Sequence, residues 1–310
     1  MKRISHAQLY PKKCMSTNDL VQELDAFFQT DSIAIDLPFS RVMPREYTNA
    51  GIRLDAYFSP AFLTRFHGLL MEGSPQIDRV YLSVFLTEEL VEQLVSQDAH
   101  DALIFTHHPM EFESNGRGFL PLSKRSLDTL KDRGLSIYSL HTPLDIHPVI
   151  STGMSIATLL HLQNLQRFNP WFGSFAGIAG SLPEPISLPH LLDAVRSALG
   201  VQDLWVSGYS DQVHRIGIIA GGGADVEYMK EARDIGCDTY LSGDIVNRVQ
   251  TPNSIEKRNA FEQEKESLHL NLIGASHYAT ERCVLIHEMT SFFQDHNLET
   301  FFIPQSNPWK

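Results

Sequence analysis

Three short segments carry neutral imidazole and carboxylate side chains, the ligand types that Zn²⁺, Fe²⁺ and Mn²⁺ share: Thr106-His107-His108-Pro109, His141-Thr142-Pro143-Leu144-Asp145 and His277-Tyr278-Ala279-Thr280-Glu281. Each follows a short apolar run that reads as a strand: DALIF, SIYSL and NLIGAS. Parallel α/β sheets collect ligands at the carboxyl ends of their strands, so one cleft can gather all three segments. His277 and Glu281 stand four residues apart, which places them on one face if a helix opens there. His107 and His108 would diverge on a continuous strand, but a chain that turns at Pro109 lets both converge. Each segment alone has a plainer reading: a surface histidine pair, a turn aspartate, a solvated helix face. Their shared position at strand ends favours metal.

Five donors, His107, His108, Asp145, His277 and Glu281, are more than the three protein ligands a catalytic Zn²⁺ usually keeps. A second ion resolves the excess, with Asp145 or Glu281 as the bridge and room left for water on each ion. The expected cofactor is two divalent metal ions per chain, Zn, Fe or Mn. Such a site stays net positive against two carboxylates and suits a small anionic or phosphate-bearing substrate. The catalytic candidates are Glu281 and His141; the latter precedes Asp145 at its strand end and could orient a ligand or move a proton. A rival motif is GIIAGGGADV (217–226) with Asp244 beyond it, an imitation of a dinucleotide fingerprint in which Val226 stands where the third glycine belongs. No cofactor-binding residues are assigned to it. GxSxG is absent.

The elements that must position these residues alternate as in an α/β protein. A helix is expected over 20–28 after the cap-like Ser16-Thr17-Asn18-Asp19, then a loop over 37–45 and a strand over 49–58. There follow a strand at 79–86, a helix at 87–97, a strand at 101–109, a helix at 123–134 and a strand with its exit loop at 135–145. Pro170, Pro183, Pro185 and Pro189 mark 165–190 as the boundary between two lobes. Beyond it the pattern predicts helices at 188–200, 224–236 and 278–296, strands at 214–220, 237–244, 269–276 and 300–304, and an exposed excursion at 251–267.

With 310 residues, 43% apolar and 20% charged, the chain is long enough for about two domains. Asp+Glu number 37 against 25 Lys+Arg, a formal charge of -12 with no basic cluster, so nucleic acid is an unlikely partner. Cys14, Cys237 and Cys283 form no CxxC pair and no disulfide framework, which fits a reducing, cytoplasmic setting; Cys237 and Cys283 read as buried small hydrophobes. The basic start is followed by no apolar run of signal-peptide length, and the apolar stretches 216–220 and 272–275 are too short to cross a bilayer.

Taken together and in order, FTHHP (105–109), YSLHTPLD (138–145), IAGGGAD (219–225), YLSGDI (240–245) and SHYATE (276–281) resemble the NIF-three-like family (Ngg-one-interacting factor three), dinuclear-metal proteins also labelled GTP cyclohydrolase I type 2. The resemblance covers 17–305, leaving an N-terminal extension 1–16 and a tail 306–310. It implies two related α/β lobes with the metals in the cleft between them, assembled as a toroidal homohexamer. It implies His107, His108, Asp145, His277 and Glu281 as the dinuclear ligands, with His141 lining the site. The chain departs from the family where Tyr47-Thr48-Asn49-Ala50-Gly51-Ile52 replaces Trp-Asp-Asn-x-Gly-Leu, and where Asn247-Arg248 replaces the histidine often found after Gly-Asp-Ile. Residues 59–75 and 251–267 read as insertions. The function expected is a metal-dependent hydrolase acting on a phosphate-containing or nucleotide-like substrate; the alternative is a non-catalytic metal-binding scaffold or regulatory protein.

Overall fold

A computed structural model describes residues 14–113, 118–246 and 251–306, and shows a mixed α/β chain with two principal sheets. Most of the N-terminal extension, the pair Asn247-Arg248 and residues 307–310 lie outside the described residues.

The first sheet runs in the order Glu299–Phe302, Arg79–Phe85, Leu103–His108, Ser136–Ser139, Gly68–Met71, parallel throughout except at the last strand. Its central strands are buried along nearly their whole length, as the mostly apolar runs VYLSVF and LIF require of strands covered on both faces. The crossover helix Glu88–Ser96 starts at Thr87, whose side chain accepts the Leu90 N–H, and buries Leu90, Val91 and Leu94. The second sheet runs Trp205–Ser207, Asn271–Gly274, Thr239–Ser242, Gln212–Ile219, Ser174–Ser187, Gln163–Trp171. Its strands Gln212–Ile219, Thr239–Ser242 and Asn271–Gly274 are parallel, so each sheet contains three parallel strands placed side by side in chain order.

The helix that opens at His277 joins the two sheets. Tyr278, Val284, Leu285, Met289 and Phe293 belong to the core of the first sheet, while Cys283 packs into that of the second. A π-helical turn, Leu285–Met289, interrupts it before Thr290–Asp295. Burial of both Cys237 and Cys283 pushes their thiols up to about 12, as small core residues require.

Two expectations about elements are corrected, and two other stretches acquire a definite form. The loop expected at 37–45 is the helix Leu37–Asn49; Asp36 caps it and Pro38 sits in its first turn, where a missing N–H costs nothing. Phe39, Met43 and Tyr47 recur every four residues on its buried face, a period that the internal Pro44 obscures. The strand expected at 49–58 is absent: Gly51 turns the chain at φ +72° and only the short 3₁₀ turn Leu54–Ala56 follows. The edge strand comes instead from Gly68–Met71, inside the stretch read as an insertion. The polar excursion at 251–267 is the mostly exposed helix Pro252–Glu264, anchored by buried Phe261. The proline-rich stretch at 165–190 is ordered mainly as the hairpin Gln163–Trp171 and Ser174–Ser187. Pro170 lies on the edge strand, and Pro183 and Pro185 fall in the register break between Ser181 and Ile186, positions where sheets tolerate proline.

Gln305 fastens the end of the described chain. Its side-chain oxygen accepts the Val84 and Phe85 N–H groups at 3.1 and 3.0 Å, and its amide donates to Phe85 O and Thr87 Oγ1 at 2.7 and 3.1 Å. Its own backbone N–H donates to Tyr278 Oη. Gln305→Leu leaves these buried groups unpaired and is expected to cost about 1–3 kcal/mol in urea unfolding; an unchanged midpoint would contradict the clip.

Candidate metal centre

Each of the three segments lies where it was expected, at the carboxyl end of a parallel strand. The strand Leu103–His108 ends in the histidine pair, whose rings stand nearly perpendicular with centroids 4.6 Å apart. His141 caps the short helix Thr142–Asp145 after Ser136–Ser139. His277 opens its helix with Glu281 one turn on, and His277 Nε2 lies 3.0 Å from Glu281 Oε1.

Glu281 is the meeting point. His108 Nε2 donates to its Oε2 at 2.9 Å, and His107 Nε2 lies 3.5 Å both from its Oε1 and from Asp145 Oδ1. Nitrogens of His107, His108 and His141 approach one another within 4.8 Å, as do donor atoms of His108, His277 and Glu281. The two groups share His108. The structure thus brings together all five expected donors and His141.

The other ring nitrogens are tied back. His107 Nδ1 donates to Leu140 O at 2.9 Å, His277 Nδ1 to Asp244 Oδ2 at 2.8 Å, and His141 Nδ1 to Asp36 Oδ2 at 2.9 Å. Anchoring one nitrogen on an acceptor aims the second one inward, the arrangement that protein metal sites use to fix imidazole ligands. His107 Nε2 and His108 Nδ1 are buried with no hydrogen-bond partner among the described residues. A buried, unpaired nitrogen beside two carboxylates suits a cation-binding position.

Electrostatics agree. Burial disfavours charge on His107 and His277, but Asp145 and Glu281 around the first, and Glu281 and Asp244 around the second, outweigh it and raise the rings to about 9 and about 10. Burial, with His107 and His141 nearby, drives His108 down to about 3 despite Glu281. Burial opposes ionisation of Glu281, yet His277, His108 and His107 hold its carboxyl well below the usual range. Asp145 is raised by burial. With both rings raised above the ordinary imidazole value by the carboxylates around them, ion uptake should release protons and tighten as pH rises. Titration calorimetry in two buffers of different ionisation heat checks this; identical heats would refute it.

Two site residues escaped sequence reasoning. Asp36 is fully buried and reaches His141 across 105 residues. Asp244 was noted only as part of a fingerprint; its position just past the strand Thr239–Ser242 was the available signal. The glycine loop proves to be part of the same wall. Gly221 adopts φ +61°, its N–H donates to Thr280 Oγ1, and a Cβ there would lie 2.1 Å from Glu281 Oε1. Its conformation serves close packing against Glu281 and His277, which accounts for Gly221 without a dinucleotide.

A cavity of about 200 Å³ opens over these residues, with Phe39, Phe119, Trp171 and Tyr228 in its lining and no Lys or Arg among the described lining residues.

A sequence model of Duf34/NIF3 (NGG1p interacting factor 3) matches residues 65–308, which include His107, His108, His141, Asp145, His277 and Glu281 but not Asp36. A Deinococcus radiodurans protein named GTP cyclohydrolase 1 type 2 homolog is 29% identical over 230 residues, 74% of this chain and 80% of the relative. A Pseudomonas aeruginosa protein of the same name is 28% identical, over 74% of this chain and 84% of its own. Among solved structures, ybgI, described as of unknown function, superposes with a TM-score of 0.66 at 21% identity, covering 95% of this chain and all 100% of its own. Reduced HcgD from Methanocaldococcus jannaschii gives 0.64 at 18% identity, with 95% and 100% covered. At such identities the two structures speak for the fold.

Proposed function

The chain belongs to the Duf34/NIF3 family, and on that premise we propose that it is a metal-dependent hydrolase built around two divalent ions. The observation that carries this reading is the convergence on Glu281, whose two oxygens lie within 3.5 Å of nitrogens from His107, His108 and His277. His107, Asp145 and Glu281 would hold one ion; His108, His277 and Glu281 would hold the other, with Glu281 shared. The donor set of imidazoles and carboxylates suits Zn, Fe or Mn. When bound, such a pair activates water near neutral pH and polarises a substrate oxygen.

The chain's own residues shape what can react. The aromatic side chains of Phe39, Phe119, Trp171 and Tyr228 offer apolar surface to a substrate, and with no Lys or Arg among the described lining residues, an anionic group on it would find its countercharge at the ions. The cavity is smaller than the ~300–1,000 Å³ of common ligand pockets, so only the reacting part of a nucleotide-like molecule would be enclosed. Burial of His107 and Glu281 keeps bulk water from the donors. All donors come from one chain, so the ring hexamer and cytoplasmic location that complete this proposal are not needed to form the site. Among the described residues no helix is long and apolar enough to cross a membrane.

Elemental analysis of protein purified without chelator tests the reading, comparing wild type with the His107→Ala, Glu281→Ala double variant. About two ions per chain, lost in a folded variant, with turnover in a screen of phosphate-containing substrates, is the expected result. No stoichiometric metal after reconstitution with Zn²⁺, Mn²⁺ or Fe²⁺ would overturn it, and metal without turnover would leave a metal-binding scaffold.

A further inference from the structure

We infer that His141 is a sixth donor to the ion pair, held in that role by Asp36, which lies outside the part of the chain that matches the family; the inference rests on the two-ion reading above. Three imidazoles at the site are built alike. His107, His277 and His141 each spend Nδ1 on an acceptor and turn Nε2 inward, and the acceptor for His141 is a carboxylate, as it is for His277. His141 Nε2 lies 3.7 Å from Asp145 Oδ2, and its ring is 5.1 Å from that of His107 between centroids. These are the neighbours that would hold the first ion.

Asp36 leaves little freedom in the tautomer. Its Oδ2 already accepts the Thr142 N–H at 3.1 Å and the Thr142 hydroxyl at 2.8 Å, while Oδ1 accepts the Phe39 N–H at 3.3 Å as the cap of the helix Leu37–Asn49. With three protein donors already on it, this carboxyl serves as the acceptor, so the proton between it and His141 sits on Nδ1. The lone pair of the neutral ring is then on Nε2, facing Asp145. His141 is better prepared as a ligand than His108, whose buried Nδ1 has no anchoring acceptor among the described residues. Asp36 is thereby a positioning residue, and through its cap it fastens the helix that carries Phe39 to the same point.

Asp36→Asn separates this role from capping, because Asn caps helices as well as Asp. With its oxygen kept on the Phe39 N–H, the amide NH₂ faces His141 Nδ1 and forces the proton onto Nε2. Chelator competition on the full chain should show one ion bound about 10–100-fold more weakly in Asp36→Asn, and again in His141→Ala, with the second ion unchanged. The visible absorption of the Co²⁺-loaded protein should change in both. His141→Ala leaves the cap intact and decides the matter if Asp36→Asn does not fold. Folded variants that bind both ions with wild-type affinity and spectrum would overturn the inference; if they also lost turnover, His141 would instead be a proton carrier. A wild-type protein that takes up no metal would fail the two-ion reading itself, a different result from either.

Discussion

Glu281→Gln is expected to empty both metal positions and to lower any hydrolytic activity by at least about a hundredfold, with the protein still folded. The substitution keeps the volume of the side chain and removes the charge that three histidines share. A neutral amide cannot bridge two cations, and its NH₂ group would point at a ring nitrogen from one side or the other. The fold survives because the histidines can respond: without the Glu281 carboxylate, His107 and His277 lose much of what raises them and become neutral more readily near pH 7. Elemental analysis beside circular dichroism reads both parts of the expectation. A folded Gln variant that keeps two ions would show that the shared carboxylate is dispensable, and the site would have to be redrawn around Asp145.

Gly221→Ala should be the most damaging methyl group that can be added to the chain's glycine loop. The left-handed backbone costs an L-residue about 1–2 kcal/mol, and forcing a Cβ to within 2.1 Å of Glu281 Oε1 and 3.1 Å of His277 Nε2 adds an overpacking cost of about 1–3 kcal/mol. Unfolding of the metal-free variant in urea should therefore show a loss of about 2–5 kcal/mol, accompanied by weakened metal uptake as Glu281 is pushed aside. Gly222→Ala is the internal control. Its Cβ would meet nothing closer than His277 Cε1 at 3.8 Å, an ordinary contact, and stability should stay close to wild type. Equal stability of the two variants would mean that the loop moves freely past Glu281.

The donors were legible because each is announced locally: an apolar run, its end, then imidazole or carboxylate within five residues. Parallel-sheet geometry joins the first two segments at one edge of the first sheet, and the helix that opens at His277, packed against both sheets, brings in the third. What supports the donors was far less visible. Asp36 is one aspartate before a Leu-Pro pair, and nothing near it in sequence says that its partner is His141. Pro38 and Pro44 suggested a loop where a helix carries them; Pro170 lies on an edge strand, Pro183 and Pro185 fall in a register break, and Pro189 sits in the first turn of the helix Leu188–Leu199. Gly68–Met71 is a four-residue edge strand, too short to show a period.

The return of the last strand to the first sheet has a consequence for how the molecule is made. Glu299–Phe302 pairs with Arg79–Phe85, and Gln305 bonds Phe85 across 220 residues. The second sheet is thus spliced into the first, and His277 and Glu281 arrive in the final stretch of the chain. Such distant pairing gives the fold a high contact order and makes closure slow. On the ribosome, His107, His108, His141 and Asp145 emerge long before their carboxylate partner Glu281 does. A nascent chain that lacks Glu281 can offer only an unfinished pocket, so the proposed ions would be held only once the helix that opens at His277 has docked between the two sheets.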